Sequence, residues 1–137
     1  MSSQASNPSY NFSGMKALVV DDEPSMREIV KFVLQGMGFN IDTAEGGREA
    51  FAKVRSTYYD LIVSDLRMPD GDGAEFLDNI FNNKCKVGVF YFLSAYGDLS
   101  REDAMAKGAI DILSKPIDIK QFRNIIAQAV NAHSPKG

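Results

Sequence analysis

The 137-residue chain contains one cysteine, Cys85, one histidine and no tryptophan. A single cysteine excludes an intrachain disulfide, so nothing in the sequence indicates an oxidising compartment. No apolar run is long enough to span a bilayer, and the N-terminus lacks the basic and apolar regions of a secretory signal. The net charge is −3, from 15 basic and 18 acidic residues, and no basic block indicates a nucleic acid or anionic membrane partner. We therefore expect a cytoplasmic protein that binds neither nucleic acid nor membrane directly.

Apolar segments of strand length alternate with segments of helical periodicity along most of the chain. Strands are predicted at 16–20, 39–45, 61–64, 87–94 and 109–113, and helices at 23–39, 46–57, 73–82, 99–108 and 117–133. Because the strands are almost continuously apolar, they indicate a parallel sheet covered on both faces. The sequence thus predicts an α/β fold with one doubly wound, five-stranded parallel sheet.

The predicted domain occupies residues 15–133. Residues 1–14 are rich in Ser, Asn and Gln and are predicted to form a flexible leader, with 134–137 as a tail. On the first helix, the predicted inward face comprises Met26, Ile29, Val30, Val33 and Met37.

Polar side chains follow four of the predicted strands at the point where each strand ends. Asp21 and Asp22 follow the first strand, Asp65 the third, Ser94 the fourth and Lys115 the fifth. Each alone is more often a turn former, a helix cap or a surface residue. In a parallel sheet, however, the carboxyl ends of the strands meet at one edge, where ligands bind. We therefore expect three aspartates, a hydroxyl and an ammonium to converge there.

Three carboxylates at one edge require compensation. Two carboxylates ~4 Å apart at an effective dielectric constant near 20 repel each other by about 4 kcal/mol. A cation among them relieves this repulsion, and hard oxygen ligands suit Mg²⁺, which also binds phosphate oxygens. Because an aspartate can itself form an aspartyl phosphate, the pattern predicts a Mg²⁺-dependent phosphoryl site.

Four segments carry a family resemblance: "LVVDDEPSMRE", "YDLIVSDLRMPDGDG", "FLSAYGD" and "GAIDILSKP". They resemble the signature segments of bacterial two-component response regulator receiver domains of the chemotaxis-regulator type, from about Lys16 to His133. The resemblance implies a flavodoxin-like sheet of strand order 2-1-3-4-5. It also implies that Asp65 accepts a phosphoryl group from a sensor histidine kinase or a phosphotransfer protein, and that an unidentified output partner reads the result.

The same resemblance assigns roles to single residues. Asp22 would bind Mg²⁺ directly and Asp21 through water, while Asp65 and the backbone carbonyl of Arg67 complete the metal ligands. Ser94 and Lys115 would contact the phosphate, and the Lys115–Pro116 peptide bond would be cis. Arg67 and Tyr96 each stand two residues after a site residue, Asp65 or Ser94, and from these positions we predict that they flank the phosphate and control how water reaches it.

The sequence departs from the common family pattern in the output region. Ile112 stands three residues before Lys115, where these domains usually carry Tyr or Phe, and the spacing from Ser94 to Lys115 is one residue short. This departure concerns the switch that follows phosphorylation and leaves the phosphoryl site intact.

Other classes of protein fit less well. An FMN-binding flavodoxin needs a hydroxyl- and glycine-rich phosphate loop where this chain has "DDEP", and a haloacid-dehalogenase phosphatase needs Asp-x-Asp where it has "DLR". The alternative that stays open is a non-phosphorylated interaction module on a receiver scaffold. We expect a signalling phosphoacceptor that promotes its own phosphorylation and dephosphorylation, not an enzyme acting on another substrate. Since only four residues follow the last helix, we expect no output domain in this chain, which either acts alone or belongs to a longer regulator.

Overall fold

A computed structural model describes residues 11–95 and 99–133. In this part of the chain, strands and helices alternate as β1 (Lys16–Val20), α1 (Pro24–Gly36), β2 (Asn40–Ala44), α2 (Gly47–Ser56), β3 (Leu61–Asp65), α3 (Gly73–Asn82), β4 (Val89–Ser94), α4 (Arg101–Ala106), β5 (Asp111–Ser114) and α5 (Ile119–His133). All pairings are parallel, and the sheet order is β2-β1-β3-β4-β5. The predicted fold and strand order are confirmed.

Alternate residues of the central strands enter two separate apolar cores. Ala17 and Val19 of β1 face the core beneath α1 and α5, whereas Leu18 and Val20 face the core beneath α2, α3 and α4. β3 and β4 divide their side chains in the same way. Full burial of each Val, Leu, Ile or Phe side chain among them contributes about 1.5–3 kcal/mol. With helices on both faces, the open edge at the carboxyl ends of the strands is left for the polar residues.

The buried face of α1 differs from the predicted one. Ile29 is 45% exposed, whereas Leu34, which was not assigned to the inward face, is fully buried. The buried stripe runs through Val30, Val33, Leu34 and Met37, and Ile29 precedes it by one residue, which is about 100° around the helix. The prediction for Ile29 was therefore wrong.

Several element ends also differ from the sequence prediction. α1 ends at Gly36, before Gly38, whose φ of +109° cannot continue a right-handed helix. β4 begins at Val89 because Val89 pairs with Leu61, the first residue of β3; the preceding Gly88 packs directly against the backbone carbonyl of Asp60. β5 begins at Asp111, since the amide of Ala109 still donates to the carbonyl of Ala104 at the end of α4.

The N-terminal segment packs further upstream than residue 15. Phe12 lies within the predicted leader, yet it is 3% exposed and its ring stacks on that of Phe39 with centroids 4.9 Å apart. The Phe12 amide donates to the carbonyl of Met37 at 3.1 Å. Packing therefore includes residue 12. The predictions for residues 1–10 and for the tail at 134–137 lie outside the described residues.

A polar cluster lies at the amino-terminal edge of the sheet, opposite the predicted site. The hydroxyl of Tyr59 donates to Oδ2 of Asp42 at 2.7 Å, and Lys16 Nζ lies 3.5 Å from the same oxygen. The Tyr59 hydrogen bond, assisted by Lys16, lowers the pKa of Asp42. Burial and the bond to Asp42 raise the pKa of Tyr59. The cluster ties β1 and β2 to the segment that enters β3.

Among the helices of the described residues, none has both the length and the apolar character that a membrane crossing requires.

Candidate functional site

Asp65 is the last residue of β3, and its carboxylate is held from two sides. Its side chain is 9% exposed; Oδ1 accepts a hydrogen bond from the Leu66 amide at 2.8 Å, and Oδ2 lies 3.3 Å from Lys115 Nζ. The Asp65 carbonyl accepts a bond from the hydroxyl of Ser64 at 2.8 Å. A buried strand thus ends in a carboxylate whose orientation is fixed by backbone and by one ammonium.

Asp21 follows β1 and is almost completely buried. Its Oδ1 accepts a bond from the Glu23 amide at 2.9 Å, and its Oδ2 lies 3.4 Å from Lys115 Nζ. Arg27 of α1 donates to the carbonyl of Asp21 at 2.7 Å, while its other terminal nitrogen lies 3.9 Å from Glu45. Neither Arg27 nor Glu45 was among the predicted site residues. The sequence signal for Arg27 was its position six residues after Asp21 in the first turns of α1, and the signal for Glu45 was its position directly after β2.

The structure brings the three predicted aspartates together. Asp21, Asp22 and Asp65 each offer a carboxylate oxygen, and these oxygens lie within 4.8 Å of one another. Asp21 and Asp65 are buried, whereas Asp22 is exposed. Lys115 is shared by the two buried carboxylates and leaves the third uncompensated. A set of oxygen donors with excess negative charge and one exposed member fits a hard divalent cation such as Mg²⁺.

The pKa shifts follow from this charge arrangement. Burial and the neighbouring carboxylate of Asp21 raise the pKa of Asp65, and Lys115 offsets part of that rise. Burial by itself lowers the pKa of Lys115, but the carboxylates of Asp21 and Asp65 outweigh it, so the pKa is raised. The two carboxylates therefore favour the charged form of Lys115 within the site.

Ser94 and Arg67 lie at the same edge of the sheet. Ser94 ends β4, next to β3, and its buried hydroxyl donates to the carbonyl of Ala95 at 3.2 Å. Arg67 is exposed two residues after Asp65, beside a groove of about 490 Å³ between the β3–α3 loop and Leu99. The Lys115–Pro116 bond is cis, so that prediction is confirmed. Tyr96 lies outside the described residues.

The sequence profile of the response regulator receiver domain matches residues 17–127. The chain belongs to this family. The chain is thus a receiver domain of two-component signalling, and this membership is consistent with a phosphoacceptor role. It disfavours the alternative of a non-phosphorylated interaction module.

Individual relatives agree with this assignment. Response regulator protein PilR of Pseudomonas aeruginosa is 34% identical over 125 residues, which cover 90% of this chain and 28% of PilR. The chain thus spans about a quarter of the length of the first curated relatives it matches.

Solved structures show the same fold. A chain in the CheX–CheY–BeF3–Mg²⁺ complex of Borrelia burgdorferi matches with a TM-score of 0.77 at 28% identity, covering 85% of the present chain and 89% of that one. The beryllofluoride-activated NtrC4 receiver domain dimer matches with a TM-score of 0.77 at 35% identity, covering 87% and 98%.

Proposed function

We propose that this receiver domain takes a phosphoryl group onto Asp65 in a Mg²⁺-dependent reaction. The donor is a sensor histidine kinase or a phosphotransfer protein. The observation that carries the proposal is the cluster of carboxylate oxygens of Asp21, Asp22 and Asp65, in which Asp21 and Asp65 share the ammonium of Lys115. The similar Borrelia burgdorferi structure is a complex with beryllofluoride and Mg²⁺, which supports the same chemistry.

Asp65 acts as the nucleophile in this proposal. A carboxylate oxygen of Asp65 attacks phosphorus, the bond from phosphorus to the donor nitrogen breaks, and its electron pair stays on the departing imidazole, which takes up a proton. The Leu66 amide keeps the carboxylate oriented during the attack. Lys115 favours the ionised nucleophile and then faces the new phosphoryl oxygens together with the Ser94 hydroxyl.

The residues proposed to hold Mg²⁺ are Asp21, Asp22, Asp65 and the backbone carbonyl of Arg67. When bound, the ion supplies charge neutralisation for the phosphoryl oxygens and the aspartates. Asp21 and Asp65 share Lys115, so the remaining negative charge of the cluster is available to the ion.

The proposal extends to hydrolysis and to signalling. Arg67, whose side chain is exposed beside Asp65, and Tyr96 flank the phosphoryl group and govern its lifetime. The domain thus promotes both the formation and the loss of its own phosphoryl group. Its setting is the cytoplasm, where a kinase delivers the signal and an output domain or separate partner receives it.

The direct test is labelling of the purified chain by a small phosphodonor such as acetyl phosphate. With Mg²⁺, intact mass should show one added, acid-labile phosphoryl group, and a chelator should suppress it. Asp65→Asn should abolish labelling, whereas Asp78→Asn, the same change at an exposed position on α3, should leave it unchanged. Undiminished labelling of Asp65→Asn would contradict the proposal.

A further inference from the structure

Backbone groups of α2 contact the loop that follows Asp65. The Gly47 amide donates to the carbonyl of Gly71 at 2.8 Å, and the Arg48 amide donates to the carbonyl of Asp70 at 3.3 Å. The first amides of a helix have no partner within the helix. Here two of those amides at the start of α2 hold two successive carbonyls of the β3–α3 loop. We call Gly46, Gly47, Asp70 and Gly71 the glycine clasp.

The clasp leaves no room for side chains. A Cβ atom at Gly46 would lie 2.6 Å from the carbonyl oxygen of Asp70, and one at Gly47 would lie 2.5 Å from that of Gly71. Real Cβ atoms essentially never approach so closely, and the opposing atoms are backbone that cannot rotate away. Gly71 itself has a φ of +84°, which favours glycine. Both sides of the contact therefore depend on glycine.

Side chains contribute little to the clasp. Arg48 and Asp70 form an ion pair at 3.5 Å, but their side chains are 80% and 63% exposed. Pairs this exposed contribute between nothing and about 1 kcal/mol. The contact between α2 and the loop thus depends on backbone hydrogen bonds and close approach.

The loop is also fixed at its other points. The Gly73 amide, at the start of α3, donates to the carbonyl of Leu66 at 2.8 Å, and Gly73 packs directly against the carbonyl of Asp65. The part of the loop between these bonds and the clasp contains Arg67, whose carbonyl is a proposed metal ligand. The path of the chain through Arg67 is therefore set from both ends.

We propose that the glycine clasp positions the loop after Asp65 for Mg²⁺ and phosphoryl binding, with Gly47 as the positioning residue. The inference rests on the proposed function, and it adds α2, which carries none of the site residues, to the elements that control the site. It assigns Gly47 no contact with the ion or the phosphoryl group.

The first test compares Mg²⁺ affinity in two glycine variants. Gly47→Ala must displace the loop, whereas Gly36→Ala, at the end of α1, meets nothing within 4 Å. Alanine favours both helices, so a loss at Gly47 comes from the contact and not from helix propensity. Calorimetric titration with Mg²⁺ should show an affinity about 10-fold lower or more in Gly47→Ala, the usual effect of losing support behind a metal ligand. Gly36→Ala should bind as the wild type does.

The second test uses the wild-type protein, so it does not depend on the folding of a variant. Coupling between two sites is reciprocal, so if the closed clasp favours Mg²⁺, then Mg²⁺ must favour the closed clasp. Saturating Mg²⁺ should slow hydrogen exchange of the Gly47 and Arg48 amides by a similar factor, about 10-fold. The Thr57 amide, at the far end of α2, should be unaffected.

The outcomes separate this inference from the function on which it rests. Wild-type protein that binds no Mg²⁺ would overturn both. Equal Mg²⁺ affinity in folded Gly47→Ala and wild type, or unchanged exchange of the Gly47 and Arg48 amides at saturation, would overturn the inference alone. A lower melting temperature of Gly47→Ala with unchanged Mg²⁺ affinity would reduce the clasp to a purely structural contact.

Discussion

The buried position of Asp65, the proposed nucleophile, also makes this residue a source of instability. Its folded-state pKa is raised, first by burial and then by Asp21, with Lys115 offsetting part of the rise. A carboxyl with a raised folded pKa costs stability above that pKa, and the cost vanishes as the pH falls below its ordinary value of 3.8. In the absence of Mg²⁺, the ionised Asp65 therefore opposes folding at neutral pH.

We predict that Asp65→Asn stabilises the metal-free protein. In chelator at pH 7, urea unfolding should show a free energy of unfolding higher by about 1 kcal/mol, as for other relieved charge conflicts. Asp78→Asn, at an exposed position, should change it by less than about 0.5 kcal/mol. A lower stability of Asp65→Asn would contradict the argument.

The pKa of Asp42 is shifted in the opposite direction, so its contribution to the free energy of unfolding depends on pH with the opposite sign. The Tyr59 hydroxyl and Lys16 lower its folded pKa, so it contributes stability above its ordinary value of 3.8, and that stability is lost as the pH falls through the folded pKa. We predict that Tyr59→Phe lowers the free energy of unfolding at pH 7 by about 1 kcal/mol. Below pH 3.8 the difference from wild type should shrink. Urea titrations at both pH values measure this, and a difference that is constant with pH would refute it.

At the scale of elements, α4 is the least anchored helix of the described chain. It has six residues, of which only Ala104 is buried, and it is tied to β5 by an exposed arginine, Arg101, at 3.0 Å from Asp111. Ile112 of β5 pairs with Phe92, packs against the core and is restricted at χ1 because it is β-branched. A segment with few buried contacts opens more readily than a packed strand.

We predict that phosphorylation, or beryllofluoride as its mimic, reorders residues 95–108 while Ile112 keeps its rotamer. The reason is that Ile112 cannot copy the inward rotation of an aromatic side chain. Hydrogen exchange should change within 95–108 on addition of beryllofluoride and Mg²⁺, with the amides of α1 as the control. If Ile112 changes rotamer while 95–108 keeps its backbone and its protection, the prediction is wrong.

The elements could be predicted from sequence where burial alone decides them. β1 and α3 were predicted to the residue, because apolar runs and helical periodicity ended at clear turn residues. The edge assignments of Asp21, Asp65 and Lys115 succeeded because parallel topology places all strand ends together. The features that the sequence pattern did not predict depend on tertiary packing.

The errors have identifiable causes. Ile29 is as apolar as Val30, and the sequence pattern does not show which stripe of α1 packs against β1, β2 and α5. The glycine clasp was missed because glycines bear no reactive group. Its only signal is two successive glycines, Gly46 and Gly47, at a helix start where a side-chain cap is the usual choice.

At the scale of the molecule, the site exists only when the whole sheet is assembled. Asp21, Asp65 and Lys115 are separated by some tens of residues, and each comes from a different strand end. The register of β1 against β3 and of β3 against β4 fixes where the strand ends lie relative to one another, and the two cores on opposite faces hold that register. Any change that alters those registers alters the distances within the acidic cluster.

The Phe12 ring decides where this domain can be cut out of a chain. A version shortened to begin at residue 15 would keep every strand and every site residue, yet it would uncover Phe39 and lose a ring buried to 3% exposure. We predict that it unfolds with a free energy lower by about 2 kcal/mol, the value for uncovering one large apolar side chain. In urea unfolding of the full chain, Phe12→Ala should lower the free energy of unfolding by a similar amount, whereas Asn11→Ala should lower it by less than about 0.5 kcal/mol. If the shortened chain and Phe12→Ala are both as stable as the wild type, the ring adds nothing to stability. A domain boundary chosen from the signature motifs alone would therefore keep every proposed site residue but remove part of the apolar core.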